Sequence, residues 1–374
     1  MKICYLADIN TIHTQKIAKH FAQDHRVDVL SLNQPNSYVP KEALGFKTHF
    51  VGPFEGPPRF SAKFALNQLN ILKRVRTLLK KLNPNILHAH FITDHGLYAA
   101  LSGFHPLVVF AMGSDVLIQP SRNILYKMLY KYVLSRADVI HCQTAFAKEI
   151  MCRDGAHPDK VKVFPLGVDL TLFRPDPRDP KQLKSLGLRP EDKIVISTRF
   201  LEPIYSLDTL IRAIPDITIK FPEVRFLIKG NGSLENELKE LSKKLNIQEY
   251  VRFVGFVPYC EIPGFINMAD IYVSTSLSDD GAISNIEAMA CSKPIVVADI
   301  PATREWVKDG WNGLLFPKQD HHALAERIKY LFANPELANN MGKRSRQITE
   351  ARADVSRSME EISSIYSSVT GIAL

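Results

Sequence analysis

Apolar positions recur along this chain in two alternating rhythms. Short β-branched runs fall at 2–7 (KICYLA), 26–32 (RVDVLSL), 85–91 (NILHAHF), 106–116 (PLVVFAMGSDV) and 138–144 (DVIHCQT). Between them lie segments with an apolar residue every three or four positions, at 15–23, up to about 82, and at 123–137. The first rhythm predicts buried strands and the second amphipathic helices. After residue 160 the style repeats. Strands are predicted at 193–200 (KIVISTRF), 224–232 (VRFLIKGNG), 250–257, 270–276, 295–300 and 313–317. Helices are predicted at 206–217, 235–245, 261–269, just after 284, at 321–333 and on towards 374. The Pro-rich, charged run at 174–181 (RPDPRDPK) reads as a linker.

Strand alternating with helix in both halves predicts an α/β chain of two Rossmann-like domains facing each other across a cleft. The expected boundaries are 1–170, 171–350, and a C-terminal helix at 351–374 packing back on the first domain. In doubly wound sheets ligands sit beyond the carboxyl ends of the strands, so the Asp8–Thr14 loop should face that cleft. No G-x-G-x-x-G dinucleotide fingerprint is present.

Composition adds little to this until charge is placed along the chain. With 374 residues, 45% of them hydrophobic, there is enough chain for two cores. The formal charge of +8 points to an anionic partner. Arg59, Lys63, Lys73, Arg74, Arg76, Lys80 and Lys81 stand in a stretch without an acid, and so do Arg122, Lys127, Lys131 and Arg136. These read as solvated helix faces or, because leucines, tyrosines and a methionine are interleaved, as contacts with an anionic membrane surface. No nucleic-acid motif accompanies them, so nucleic acid is not an expected partner. The five cysteines are scattered, with no C-x-x-C, which fits reduced thiols in a cytoplasmic protein. The opening residues run into a strand without a signal-peptide pattern. No apolar run approaches the roughly 18 residues of a membrane span.

The densest chemistry is at 278–294, SDDGAISNIEAMACSKP. The piece reads as a loop, a helix start, a helix and then a strand. Unpaired amides at a helix start suit an anionic or polyol ligand, and Asp279 and Glu287 flank that point. A structural alternative is a capping box, Ser284 with Glu287.

A carboxylate, seven residues, then Glu in an EAMA helix resembles the E-x7-E segment of family four glycosyltransferases. The chain also has VFPLGVDLTLFRP, FLIKGNG and VRFVGFVP, then MADIYVSTS, in the order usual in that family. The resemblance covers nearly the whole length. It implies a GT-B fold and a retaining, metal-independent transfer of a sugar from a nucleotide diphosphate sugar, with no cofactor. It places Glu287 on the donor ribose, Asp279 on the donor sugar and Arg199 on the diphosphate. The amides of Gly281, Ala282, Ile283, Ser284 and Asn285 would line the sugar and diphosphate. Tyr205 stands where the family has a lysine, and Asp279 where it has Glu. Lys229, beside Gly230, is a candidate for the missing cation, and His13 for a further contact to the donor diphosphate or the acceptor.

His90, His95, Ser114 and Asp115 are the acceptor-side candidates, in the domain expected to receive a glycan or lipid-linked acceptor. The expected setting is envelope polysaccharide synthesis at the inner membrane face. Two rival readings stand beside this one. His88, His90, Asp94 and His95 resemble the H-x-H-x-D-H of zinc hydrolases, with three residues before the Asp instead of one. The Tyr205 and Asp279 departures would also fit a non-catalytic relative that only binds nucleotide sugars.

Overall fold

The computed structural model describes residues 1–36, 39, 44–53 and 62–373, with the side chains of 62–65 outside the description. Arg59, the Lys63 side chain and most of the Pro/Gly-rich loop at 52–58 therefore lie outside the described residues. The chain divides into two compact units. One comprises Met1–Pro165 with Ser358–Leu374, and the other Leu166–Arg357.

The first unit carries β1 (Lys2–Leu6), α1 (Ile12–Phe21), β2 (Arg26–Ser31), β3 (Lys47–Phe50), α2 (Ala62–Leu82), β4 (Ile86–His90) and α3 (His95–Ser102). It continues through β5 (Leu107–Phe110), α4 (Ser114–Leu117), α5 (Ile124–Arg136), β6 (Val139–Cys142), α6 (Ala145–Arg153) and β7 (Val161–Val163). Its sheet runs β3-β2-β1-β4-β5-β6-β7, every pair parallel. Apart from the edge strands β3 and β7, the strands are buried on both faces, which is why they read as continuous apolar runs. Leu6, Leu30, Leu87 and Val109 pack on one face with Ile71 and Val75 of α2, Ala99 of α3 and Val133 of α5.

The second unit carries α7 (Pro180–Ser185), β8 (Lys193–Ser197), α8 (Leu207–Thr218), β9 (Val224–Lys229), α9 (Glu235–Lys244), β10 (Val251–Gly255) and α10 (Ile262–Met268). Then come β11 (Ile271–Ser274), α11 (Ile283–Ala290), β12 (Ile295–Ala298), α12 (Pro301–Arg304), β13 (Gly313–Phe316), α13 (His321–Ala333) and α14 (Pro335–Arg352). Its sheet order is β10-β9-β8-β11-β12-β13, again all parallel. Both faces are packed. Phe226 and Ile228 meet α8 and α13 side chains on one, and Leu227 and Tyr272 meet α10 and α11 side chains on the other. Both units are thus Rossmann-like. Strand order reverses beside β1 and β4 in the first and beside β8 and β11 in the second, the switch points where ligands collect in such sheets.

The Pro-rich run at 174–181 lies inside the second unit, where Arg178 pairs with Asp270 at 2.5 Å. Pro180 opens α7 with Asp179 as its N-cap, so proline here starts a helix. The last helix, α15 (Val355–Thr370), buries Met359, Ile362, Ile365 and Tyr366. The Tyr366 hydroxyl lies 2.6 Å from His88 Nδ1 and 3.0 Å from the Tyr5 hydroxyl, tying this helix to the first sheet.

Candidate functional site

In the second unit, the segments following β8 and β11 bring the sequence candidates together. Arg199 stands just past β8 and is 8% exposed. Its Nη2 donates to Asp279 Oδ2 and its Nη1 to Ser284 Oγ, each at 2.5 Å. Its guanidinium carbon sits 4.2 Å from the centre of the Tyr205 ring. The residue at the position of the resembled lysine is therefore stacked on the arginine. Tyr205 is itself held by Thr275, whose hydroxyl donates to the Tyr205 carbonyl at 2.6 Å. Burial works against the Arg199 charge, yet Asp279 and neighbouring phenols raise the pKa above its usual value, so the ion stays charged. Gly230 packs against it from β9. A Cβ there would lie 2.5 Å from the Arg199 carbonyl, and φ is +139°, so only glycine fits.

The loop after β11 turns sharply into α11. Gly281 has φ 90° and Ala282 φ 37°, and Ala282 is the N-cap. Ser284 thus lies inside the helix and accepts from Arg199, so the capping box read in the sequence does not form. The Asn285 amide donates to the Ala282 carbonyl at 2.8 Å and is not available to a ligand, which corrects the expectation for that residue. The amides of Gly281, Ala282, Ile283 and Ser284 donate to no acceptor among the described residues. One turn along, Glu287 is 5% exposed and accepts from the Tyr259 hydroxyl. Burial, and then the Glu287 charge, push that phenol far up. Lys229 ends β9 nearby, 9% exposed; burial lowers its pKa and Glu287 opposes the shift.

Tyr259 and Tyr272 were not legible as site residues. Tyr272 bonds Ser284, and its hydroxyl lies 3.2 Å from Thr198 Oγ1. Its only sequence signal is its place in the strand leading into the 278–285 loop. Tyr259 carries none.

In the first unit, the ends of β1 and β4 hold the histidines. The Thr11 side chain accepts from the Thr14 amide and starts α1, so His13 is in the first turn of a helix and not in a loop. His90 Nδ1 lies 3.0 Å from Thr14 Oγ1. Burial lowers its pKa well below the ordinary value, with repulsion from His88, His95 and His13 adding to this. His95 opens α3, is 7% exposed, and has no hydrogen-bond partner on either ring nitrogen among the described residues. Burial pushes its pKa to about 4 and that of His13 to about 4. Ser114 is exposed at the start of α4. Asp115 is wholly buried and accepts from the Ile92 and Met112 amides at 2.7 and 3.0 Å, bracing the ends of β4 and β5. Burial lifts its pKa to about 6 and that of Asp94 to about 7.

His88 and His90 point to one face of β4, their rings edge-on at 4.9 Å. Each has its Nδ1 beside a hydroxyl, of Tyr366 and Thr14. No group of three or more His, Cys, Asp or Glu among the described residues is placed to hold a metal ion. The metal-centre reading of 88–95 is corrected accordingly: these histidines form part of a packed aromatic row with Tyr5 and Phe110. A cavity of about 530 Å³ opens at the amino ends of β2 and β3, lined by His25, Arg26, Asp28 and Lys47, away from these groups.

Comparison with known proteins gives this arrangement its class. The profile of "Glycosyl transferases group 1" matches residues 178–348, and that of "Glycosyl transferase 4-like" matches 2–144. "Putative glycosyltransferase EpsD" of Bacillus subtilis is 30% identical over 72% of this chain and 69% of its own. A phosphatidylinositol N-acetylglucosaminyltransferase subunit of Arabidopsis thaliana is 26% identical over 86% of this chain and 71% of its own. Among solved structures, Anabaena Alr3699/HepE in complex with UDP and glucose superposes with a TM-score of 0.84. It is 20% identical, over 98% of this chain and all of that one. The fold is that of the GT-B glycosyltransferases. The chain belongs to the family four-like glycosyltransferases.

Proposed function

We propose that the protein transfers a hexose from a nucleotide diphosphate sugar to a glycan or lipid-linked acceptor of envelope polysaccharide synthesis. In this reading it retains the anomeric configuration and uses neither metal nor cofactor. The observation that carries the donor half is the Arg199–Asp279–Ser284 cluster facing four unpaired amides at a strand switch point. Fixed dipoles and a buried cation are what a departing diphosphate requires. Glu287 takes the ribose hydroxyls, and Asp279 the hydroxyls of the donor sugar. The UDP and glucose held by the Anabaena structure suit the same donor chemistry.

Transfer breaks the bond between the anomeric carbon and the diphosphate oxygen. The acceptor oxygen forms the new bond on the same face. The acceptor proton leaves to the diphosphate, whose charge Arg199 and the amides receive. No enzymic nucleophile is needed. In the first unit, His13, His90, His95 and Ser114 offer polar groups to a sugar acceptor, with Asp115 fixing the strand ends beneath them.

None of the described helices is long and apolar enough to cross a membrane. Attachment to the cytoplasmic surface of an anionic bilayer is supported by α5, where Ile124, Met128 and Tyr132 are 73%, 62% and 39% exposed. They lie four residues apart, beside Lys127 and Lys131, and so on one helix face. A lipid-linked acceptor also fits the name of the Arabidopsis relative.

The test is a transfer assay with a panel of labelled nucleotide sugars and polyprenyl-phosphate-linked or diacylglycerol acceptors, run with chelator. The reading expects one donor to be consumed and the product's anomeric proton to match the donor's configuration by NMR. Diphosphate binding with no transfer to any acceptor would favour the non-catalytic relative, and inversion would exclude the mechanism.

A further inference from the structure

Two lysine or arginine side chains in the second unit are buried, Arg199 and Lys229. Their surroundings differ. Arg199 has Asp279, Ser284 and the Tyr205 face. Lys229 makes no side-chain hydrogen bond and no ion pair with any described residue. A lysine side chain this deeply buried, its ammonium without a hydrogen-bonded partner, is costly, and folds rarely keep one without a use for it.

Its position narrows that use. Ser197 pairs with Ile228 across the sheet, so Lys229 lies abreast of Thr198, beside the backbone that leads into Arg199. It shares the sheet face of Leu227, the face on which Tyr272 and Ile286 pack under α11. The carboxylate whose field it feels is that of Glu287. The charges around the α11 start are then Arg199 and Lys229 against Asp279 and Glu287, with the buried carboxyl of Asp280 in the same loop. Without Lys229 a single cation would face three carboxyl groups at the place where a diphosphate has to sit.

We propose that Lys229 is the second cation of the donor site, its ammonium pairing with a phosphate of the bound nucleoside diphosphate while Glu287 holds the ribose. This rests on the donor-site reading above. The anion supplies the partner that Lys229 lacks in the free chain, while Arg199 is kept in place by Asp279 and Tyr205.

The experiment is a calorimetric ladder of nucleoside, monophosphate and diphosphate, for uridine, guanosine and adenosine, on wild type, Lys229→Met and Lys229→Arg. Melting temperatures are measured in parallel. Lys229→Met is expected to weaken diphosphate binding 10- to 100-fold, leave nucleoside binding unchanged, and reduce the salt dependence of binding. Its melting temperature should change little, because relief of the desolvated charge is offset by the loss of its attraction to Glu287. Lys229→Arg should stay within a few-fold of wild type. Unchanged diphosphate affinity in Lys229→Met overturns the inference while leaving the donor site standing. Equal losses for nucleoside and diphosphate also overturn it, placing the ammonium on the ribose side with Glu287. A lowered melting temperature in Lys229→Met with no selective loss of diphosphate binding assigns Lys229 a structural role. If wild type binds no rung for any base, the donor-site reading fails and Lys229's role with it.

Discussion

Arg199 and Asp279 form an ion pair 2.5 Å long, with side chains only 8% and 16% exposed. Each is the main compensation for the other's buried charge. Removing one alone, as in Arg199→Met or Asp279→Leu, is therefore expected to cost about 3–5 kcal/mol of stability. The double variant should cost markedly less than the two singles together, because it leaves no orphaned ion. A urea-denaturation double-mutant cycle measures this, and additive losses would show that the two charges do not depend on each other.

The pair also shows what sequence could and could not reveal. The order of strands and helices was readable because parallel strands buried on both faces are uninterrupted apolar runs. Short elements were not. α3 and α6 are too brief to establish a period, although Gly103 and Gly155 mark their ends and Thr144 caps α6. β3 is a four-residue edge strand, KTHF, without an apolar run. In the site, the residue types at 199, 279 and 287 were legible from spacing and resemblance. Tyr205 stacked on Arg199 was not, because a side-chain contact between two loops leaves no local pattern. The Ser284 capping box failed for a related reason. The αL turn at Ala282 starts the helix earlier than the S-x-x-E spacing suggests.

Gly230 sets the backbone on which Arg199 stands. Gly230→Ala puts a Cβ 2.5 Å from the Arg199 carbonyl at a φ of +139°. The expected loss is about 1–3 kcal/mol of stability, together with weaker diphosphate binding. Gly187→Ala, in open space with φ +66°, should affect stability alone. Equal binding losses in both variants would contradict the link to Arg199.

Four buried histidines of the first unit, with the half-buried His13, make stability depend on pH. Burial holds His88 near 3 and His13, His95 and His141 near 4, with His90 also lowered. The unfolded chain therefore binds more protons at these sites below about pH 6.5, so each site takes stability away on acidification. Asp115 and Asp94 act oppositely, because their raised values of about 6 and 7 give the folded state the extra proton. Five histidines outweigh two carboxyls, so stability should fall steadily from pH 6.5 towards 4.5. Denaturation midpoints across that range check this, and a flat or rising profile would contradict it.

Membrane attachment has its own signature. If α5 docks through Ile124, Met128 and Tyr132 with Lys127 and Lys131 on anionic headgroups, the triple Ser variant should lose flotation with phosphatidylglycerol vesicles. Raising salt should weaken attachment of the wild type as the charges are screened. Salt-insensitive flotation, or none at low salt, would contradict this docking.

The most direct measurement is calorimetric titration of wild type and Glu287→Ala with UDP, GDP and ADP and their hexose conjugates, with chelator present. Glu287 is the carboxylate assigned to the ribose and is bonded to Tyr259. Saturable, chelator-insensitive binding of one base series to wild type is expected, with at least a tenfold loss in Glu287→Ala. Binding left unchanged by the substitution, with only the melting temperature lowered, would make Glu287 structural and contradict the site.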